Sequence, residues 1–153
     1  MAAPCRLRPA TSADARAIAA LERQSFSDPW SAESIRESIA MPWMFTHVAE
    51  DPEGAVLGYV FCREIAGESE LLNLAVAEGE RRGGVGRALL ATALAWAEAR
   101  GARETFLEVR ASNTAAIALY EKAGFRAVGR RADYYQRPVE DAILYRRPGI
   151  GSA

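Results

Sequence analysis

The chain has 153 residues, half of them apolar and a quarter charged, with a formal net charge of −1. This length and composition predict one globular domain that buries its own core, and they exclude a disordered or collagen-like chain. No apolar run reaches the roughly 18 residues that a membrane span needs. Since the first residues also lack the apolar centre of a signal peptide, we expect a cytoplasmic protein without membrane contacts.

The charge is distributed unevenly along the chain. Residues 22–80 carry twelve acids and three arginines, a net charge of −9, whereas the other residues carry a net charge of +8. A nucleic-acid-binding protein is usually basic overall, so direct nucleic-acid binding is not expected. The two cysteines, Cys5 and Cys62, fit no metal-ligand spacing and no disulfide framework. We interpret both as small, buried apolar residues.

The first half of the chain predicts two helices and four strands. A short strand at 6–8 precedes a helix that Thr11 or Ser12 can cap and that ends near residue 25. Pro29 breaks the chain there, and Ser31 can cap a second helix that ends near residue 40. Strand patterns follow, and their short connections predict an antiparallel meander; these strands cover 44–50, 56–65 and 69–76.

The second half alternates helices and strands. Helix 87–100 follows a glycine-rich loop, Asn113 can cap a helix that ends near residue 123, and three strands cover 104–109, 125–130 and 142–146. Strands 69–76 and 104–109 flank helix 87–100, so we expect them to be parallel. The fold class is therefore mixed α/β, with a mostly antiparallel sheet and helices on both faces. We expect a single domain over 1–153, with a frayed tail at 148–153.

The glycine-rich loop is placed to bind an anion. Residues 81–87 connect a strand to the start of a helix, where backbone N–H groups are free and the helix dipole is positive. A P-loop would require Gly-Lys-Ser/Thr, but the sequence has Gly86-Arg87-Ala88. The dinucleotide pattern G-x-G-x-x-G, started at Gly84, would require glycine at Leu89. From this loop alone, a plain glycine-rich turn remains an alternative.

Five stretches carry a resemblance to a known family. They are LLNLAV (71–76), RRGGVGRALL (81–90), LEVRASNTAAIALYEKAGF (107–125), RRADYY (130–135) and EDA (140–142). Together they resemble the GNAT N-acetyltransferase superfamily and, within it, the RimI branch of bacterial ribosomal-protein-alanine N-acetyltransferases. The superfamily pattern Q/R-x-x-G-x-G/A is met by Arg81, Gly84 and Gly86. The sequence departs from the family where Arg81 replaces a frequent glutamine and Gly83 a bulkier polar residue.

This resemblance implies the GNAT fold and acetyl transfer from the cosubstrate acetyl-CoA, without a metal, to the amine of a protein N-terminus. The acceptor it implies is the N-terminal alanine of the eighteenth small-subunit ribosomal protein. It further implies that Glu108 is the general base and Tyr120 the general acid. The candidate acceptor-binding residues are Trp30, Tyr134 and Tyr135, with buried packing as an alternative explanation for the two tyrosines. The implied cofactor-binding residues are Leu74, Ala75, Val76, Arg81, Arg82, Gly83, Gly84, Val85, Gly86, Arg87, Asn113 and Tyr120.

Each of these residues also has a structural interpretation. Glu108 could form an ion pair with Arg110, Tyr120 could belong to the core, and Asn113 could only cap a helix. The lone histidine, His47, is interpreted as structural. Two functional alternatives also remain: a GNAT enzyme acting on other N-termini, lysines or small amines, and a non-catalytic acetyl-CoA-binding module. The sequence does not fix the oligomeric state.

Overall fold

Seven strands form one mixed sheet in the structure, a computed structural model that describes residues 5–81 and 83–149. Their order across the sheet is β1-β2-β3-β4-β5-β7-β6, and every neighbouring pair is antiparallel except β4 and β5. The predicted mixed, mostly antiparallel sheet is confirmed. The strands are β1 (Arg6–Pro9), β2 (Met44–Glu50), β3 (Val56–Ile65), β4 (Glu68–Val76), β5 (Glu104–Arg110), β6 (Arg126–Tyr135) and β7 (Glu140–Pro148).

Helices cover both faces of this sheet, as the sequence predicts. Successive side chains of a strand point to opposite faces. In β3, Tyr59 and Phe61 therefore pack against the first two helices, whereas Val60 and Cys62 pack beneath the last two. Burying an apolar side chain of this size contributes roughly 1.5–3 kcal/mol to folding. The α-helices in the described residues are α1 (Ala15–Ser25), α2 (Ala32–Ile39), α3 (Val85–Ala99) and α4 (Thr114–Lys122).

Polar side chains set the start of two helices at the predicted residues. The Ser31 Oγ atom accepts the backbone N–H of Ser34 at 3.1 Å at the start of α2. The Asn113 Oδ1 atom accepts the N–H of Ala116 at 3.2 Å at the start of α4. Each cap satisfies a donor that the helix leaves free, which typically stabilises it by about 1 kcal/mol.

The third helix begins two residues earlier than predicted. It starts at Val85 instead of Arg87, directly after Gly84, whose φ of +87° places it in the left-handed region. Val85 is 2% exposed and belongs to the core beneath α3 and α4. Burial of this side chain therefore draws the first turn of the helix onto the sheet.

The only parallel pair among the described strands separates soon after it forms. β4 and β5 pair over Glu68–Glu70 and Glu104–Phe106 alone, although both strands continue beyond these residues. A bulge at Leu72 shifts the register of β4 against β3, because Phe61 pairs with Asn73 while Cys62 pairs with Leu71. The later part of β4 consequently has backbone groups with no strand partner on the β5 side.

The last two strands are longer than predicted. β6 extends to Tyr135, and β7 begins at Glu140, so the two form a long hairpin. Nearly all of β6 is exposed, and it therefore lacks the apolar alternation that marks a half-buried strand. The predicted tail also begins later, because Pro148 pairs with Glu104 and the Gly149 N–H donates to the Arg103 carbonyl at 2.8 Å. Residues 150–153 lie outside the described residues.

The two cysteines differ in exposure. Cys62 is fully buried in β3 with its Sγ atom 3.3 Å from the Ser69 Oγ atom, and burial raises the pKa of its thiol to about 11. The prediction that Cys5 is also buried is wrong, since this residue is exposed just before β1.

Candidate active site

Glu108 lies on the face of β5 opposite the α3–α4 core. Leu107 and Val109, its neighbours in the strand, are buried in that core. The strand alternation therefore directs the Glu108 side chain to the face covered by α1 and α2. It stays 19% exposed, in the stretch of β5 that no longer pairs with β4. A carboxylate thus sits beside the opening between the two strands.

The ion pair between Glu108 and Arg110, the structural alternative to a catalytic role, does not form. The Arg131 Nε atom lies 3.3 Å from the Glu108 Oε2 atom, whereas Arg110 forms an ion pair with Glu140 instead. Side chains two residues apart on a strand are separated by roughly 7 Å, and Arg110 points on toward the β6–β7 turn. The Glu108 Oε2 atom is shielded from water and accepts no hydrogen bond from the described residues. This oxygen therefore has free capacity to accept a proton or a hydrogen bond.

Two tyrosines surround this carboxylate. The rings of Tyr134 and Tyr135 meet edge to face at 5.0 Å, and the Arg131 guanidinium lies over the Tyr134 ring. Burial and then the negative charge of Glu108 raise the pKa of both phenols, that of Tyr135 to about 12. The structure thus brings together three of the residues that the sequence singles out, with both phenols in their neutral form at neutral pH.

Tyr120 approaches from the other side of the sheet. It is 7% exposed in α4, where its ring packs edge-on against Phe125 at 5.8 Å. Burial, followed by the nearby Tyr135 hydroxyl, raises the pKa of Tyr120 well above its ordinary value of 10.0. The core position foreseen as an alternative is therefore real. It also keeps this phenol protonated and able to donate.

The glycine-rich loop presents backbone donors at the start of α3. The first hydrogen bond of this helix runs from the Ala88 N–H to the Gly84 carbonyl, so the preceding N–H groups have no partner within the helix. A Cβ atom at Gly86 would lie 3.5 Å from Val76, which shows how closely the loop packs on β4. The Arg81 side chain donates to the Val76 carbonyl at 3.1 Å, and Arg82 lies outside the described residues.

A groove of about 510 Å³ extends from this loop between α3 and α4. Its floor is apolar and includes Leu90 and Leu94 from α3 and Leu119 from α4. Arg87 and Lys122 place positive charges along it. Sequence reasoning missed this groove, because it depends on the distance between two helices that are far apart in the chain.

The comparisons with known proteins agree with this geometry. The family model described as "Acetyltransferase (GNAT) family" matches residues 15–125. The chain belongs to the GNAT acetyltransferase family. Members of this family use acetyl-CoA as the acetyl donor.

Several GNAT relatives resemble the chain over most of its length. The "[Ribosomal protein bS18]-alanine N-acetyltransferase" of Escherichia coli (strain K12) is 34% identical over 130 residues, 84% of this chain and 86% of the relative. The "N-alpha-acetyltransferase RimI" of Mycobacterium tuberculosis (strain ATCC 25618 / H37Rv) is 35% identical over 150 residues, 94% of this chain and 92% of the relative. The crystal structure of the ribosomal-protein-S18-alanine N-acetyltransferase from Escherichia coli superposes with a TM-score of 0.86 and 31% identity, covering 95% of this chain and 94% of that chain.

Within this GNAT fold, Trp30 and Asn113 have clear structural roles. The Trp30 ring packs against Phe61 at a centroid distance of 5.4 Å, and the residue stays partly exposed between α1 and α2. Asn113 caps α4 as described above, and its amide nitrogen donates to no described residue. Both residues therefore make a structural contact and still have part of the side chain free to contact a ligand.

Sequence reasoning also missed a buried carboxylate beneath the GNAT site. Glu22 is 1% exposed in α1 and accepts hydrogen bonds from the Trp30 N–H, the Asn73 side chain and the Tyr59 hydroxyl. It therefore joins the α1–α2 connection to β4 at the strand bulge. The only signal in the sequence is a glutamate at a core-facing position of an amphipathic helix, next to Leu21.

The lone histidine of this GNAT protein lies in a structural contact. His47 stacks on Phe45, and burial lowers the pKa of its ring. Among residues 5–81 and 83–149, no group of three or more His, Cys, Asp or Glu side chains is arranged to hold a metal ion. No described helix is both long and apolar enough to cross a membrane.

Proposed function

We propose that this GNAT enzyme transfers the acetyl group of acetyl-CoA to the N-terminal amine of a protein, namely the N-terminal alanine of ribosomal protein bS18. The main support is the opening between β4 and β5, which has Glu108 beside it and the free N–H groups of α3 nearby. Relatives that span most of the chain carry the names of bS18-alanine and N-alpha-acetyltransferases. The chain would act as one catalytic domain in the cytoplasm, where ribosomal proteins are made.

Acetyl-CoA would bind along the opening and the adjacent loop. The backbone of Leu74, Ala75 and Val76 pairs with β3 but has no partner strand on the β5 side, so its N–H and C=O groups that face that side would pair with the amide-containing arm. Of these groups, the Val76 carbonyl would have to exchange its hydrogen bond from Arg81 for one from the arm. The N–H groups from Gly84 to Arg87 would hold the pyrophosphate, as helix N-termini hold anions, whereas the Gly83 N–H already donates to the Glu80 carbonyl at 3.3 Å. The α3–α4 groove, with Arg87 and Lys122, would receive the nucleotide end. Asn113 would contribute its free amide.

Acetyl transfer requires the acceptor amine to be neutral. An α-amine has a pKa of roughly 7.7–8.0, so about a tenth is neutral at pH 7, compared with a far smaller fraction of a lysine amine. Glu108 would accept the proton that the amine loses as its nitrogen bonds to the thioester carbon. As the carbon–sulfur bond breaks, the Tyr120 hydroxyl would stabilise the leaving thiolate, either by protonating it or by donating a hydrogen bond to it. Because Glu108 and Tyr120 approach from opposite sides of the sheet, neither blocks the other.

The acceptor would bind on the face covered by α1 and α2. Trp30, Tyr134 and Tyr135 offer partly exposed aromatic surface there. Helix α2 adds the exposed carboxylates of Glu33 and Glu37, which would attract a basic N-terminal segment. The acidic residues 22–80 thus contribute α2 to the acceptor side, whereas the basic remainder contributes the start of α3 and the α3–α4 groove to the cofactor side.

A peptide acetylation assay tests this function. The purified protein, acetyl-CoA and a peptide with the N-terminal residues of bS18 and at least one lysine are incubated, and mass spectrometry locates the acetyl group. We expect acetylation of the α-amine. The control peptide has the same sequence with a formylated N-terminus and should stay unmodified. Acetylation of the lysine in both peptides would contradict the proposed function and favour the lysine-directed alternative.

A further inference from the structure

Arg110 joins two segments that are far apart in the sequence. It lies two residues beyond Glu108 on the same face of β5. Its Nη2 atom donates to the Ser27 Oγ atom at 2.6 Å and to the Gln136 carbonyl at 2.9 Å. Ser27 in turn donates to the same Gln136 carbonyl at 3.0 Å. One guanidinium thus connects the α1–α2 connection to the β6–β7 turn.

The other side of the same guanidinium holds the base of that turn. The Arg110 Nη1 atom donates to the Pro138 carbonyl at 3.1 Å and to Glu140 at 3.2 Å, and the group lies 4.5 Å from the centre of the Tyr135 ring. The second oxygen of Glu140 accepts the Ser112 N–H at 2.6 Å. A planar group with several fixed donors can make all these contacts at once, whereas the single ammonium of lysine cannot.

We propose that Arg110 is a positioning residue for the acceptor, a proposal that rests on the function proposed above. The two segments it joins adjoin Trp30 on one side and Tyr134 and Tyr135 on the other, and these carry the expected acceptor-binding surface. None of its hydrogen bonds reaches β4 or the glycine-rich loop. Loss of Arg110 should therefore misplace the acceptor relative to Glu108 and leave the acetyl-CoA site intact.

Steady-state kinetics of Arg110→Lys and Arg110→Ala test this proposal against a matched control. The control Arg146→Ala removes an arginine of β7 that pairs with Glu104 of β5 at 2.5 Å. This ion pair joins the same two strands as the pair of Arg110 with Glu140, but at the far end of β5. We expect both Arg110 variants to raise the KM for the acceptor peptide about tenfold or more, since several hydrogen bonds to a charged group are lost. The dissociation constant for acetyl-CoA should not change, and Arg146→Ala should behave like the wild type. Ser27→Ala should raise the acceptor KM by a smaller factor.

Two results would overturn the proposal. One is an unchanged acceptor KM in Arg110→Lys. The other is a parallel weakening of acetyl-CoA binding, which would indicate a general structural role. If Arg110→Ala fails to fold, Arg110→Lys and Ser27→Ala decide between these outcomes. A wild-type protein that leaves every N-terminus unmodified would instead overturn the proposed function, and the role of Arg110 with it.

Discussion

At the scale of single residues, the site depends on a carboxylate that is sheltered but not saturated with partners. The Glu108 Oε2 atom has an arginine nearby and no hydrogen bond from the described residues. A fully paired carboxylate would have to break its contacts before accepting a proton. Glu108 has one ion pair to weaken, with the largely exposed Arg131, and the neutral phenols around it add no competing negative charge.

We predict that Glu108→Gln lowers kcat by about 10²–10⁴-fold, the usual contribution of a general base. Glutamine keeps the size of the side chain but cannot accept the proton, so acetyl-CoA should still bind. The matched control is Glu104→Gln, which changes the same residue type on the same face of β5 and lies at the paired end of the strand. Equal turnover in the two variants, measured by release of CoA, would contradict a base at Glu108.

Residue contacts across the chain mark the limit of what the sequence can predict. Glu108, Tyr134 and Tyr135 could be selected because they stand in recognisable stretches, and the structure brings them together. An ion pair of Glu108 with Arg110 was one alternative to a catalytic role, but the arginine beside Glu108 is Arg131. Such partners come from another strand, and their identity depends on a register that no local pattern encodes. The three donors around Glu22 were missed for the same reason.

At the scale of secondary-structure elements, the junction of β4 and α3 depends on the backbone of Gly84. Its φ of +87° is strained for any residue with a Cβ atom, although no atom lies within 4 Å of the position of such an atom. We predict that Gly84→Ala destabilises the protein by roughly 1–2 kcal/mol. It should also weaken acetyl-CoA binding, because a backbone that relaxes to relieve the strain reorients the free N–H groups at the start of α3.

The control for this prediction is Gly79→Ala. Gly79 lies in the short 3₁₀ turn before the loop, also with open space around its Cβ position, but without a positive φ. Urea denaturation and calorimetric titration with acetyl-CoA should show this variant close to the wild type. If both alanines have the same effect, the loop conformation at Gly84 is not what matters.

The elements themselves were predictable to different degrees. β2 and β3 have the boundaries expected from the sequence, because both are central strands with a strong apolar pattern. The β6–β7 hairpin was underestimated, because β6 lies at the edge of the sheet and is held by ladder hydrogen bonds instead of burial. The separation of β4 from β5 could not be read from either strand alone, since each has an ordinary strand pattern.

At the scale of the whole molecule, the acidic part of the chain includes α2, which packs on one face of the sheet and carries exposed carboxylates. We predict that the double variant Glu33→Gln/Glu37→Gln raises the KM for a basic acceptor peptide and weakens its salt dependence, because surface charges steer association. The control variant Glu53→Gln/Glu68→Gln removes two exposed charges from strand ends and turns instead. The comparison is made at low and high salt, and an identical salt dependence in all three proteins would refute electrostatic steering.

Stability should fall at both ends of the pH range. In the folded protein the pKa of five carboxyls is lowered, mainly by hydrogen bonds from arginines, from backbone N–H groups or, for Glu140, from the Ser112 side chain; these are Asp14, Glu50, Glu64, Glu140 and Asp141. The unfolded chain then binds more protons, so this stability is lost as the pH falls below about 4.5. The pKa of all five tyrosines is raised, mainly by burial; these are Tyr59, Tyr120, Tyr134, Tyr135 and Tyr145.

Because the folded protein holds the tyrosine protons more tightly than the unfolded chain does, the stability that these tyrosines contribute is fully present below about pH 10. It declines as the pH rises further. Urea denaturation between pH 3 and 11 should therefore give a plateau with a loss of unfolding free energy on each side. A stability that is constant from pH 9 to 11 would show that the tyrosines are not protected in the folded state.

The burial of Cys62 gives the molecule an internal reporter of its own opening. Its thiol lies in the middle of the sheet beside Ser69 and ionises only well above neutral pH, whereas Cys5 is exposed. A thiolate must form and meet the reagent before alkylation can occur. The rate at which Cys62 is labelled in a Cys5→Ser background therefore measures how often β3 becomes accessible. If acetyl-CoA binding stabilises the closed state, β3 opens less often and Cys62 is labelled more slowly when acetyl-CoA is present.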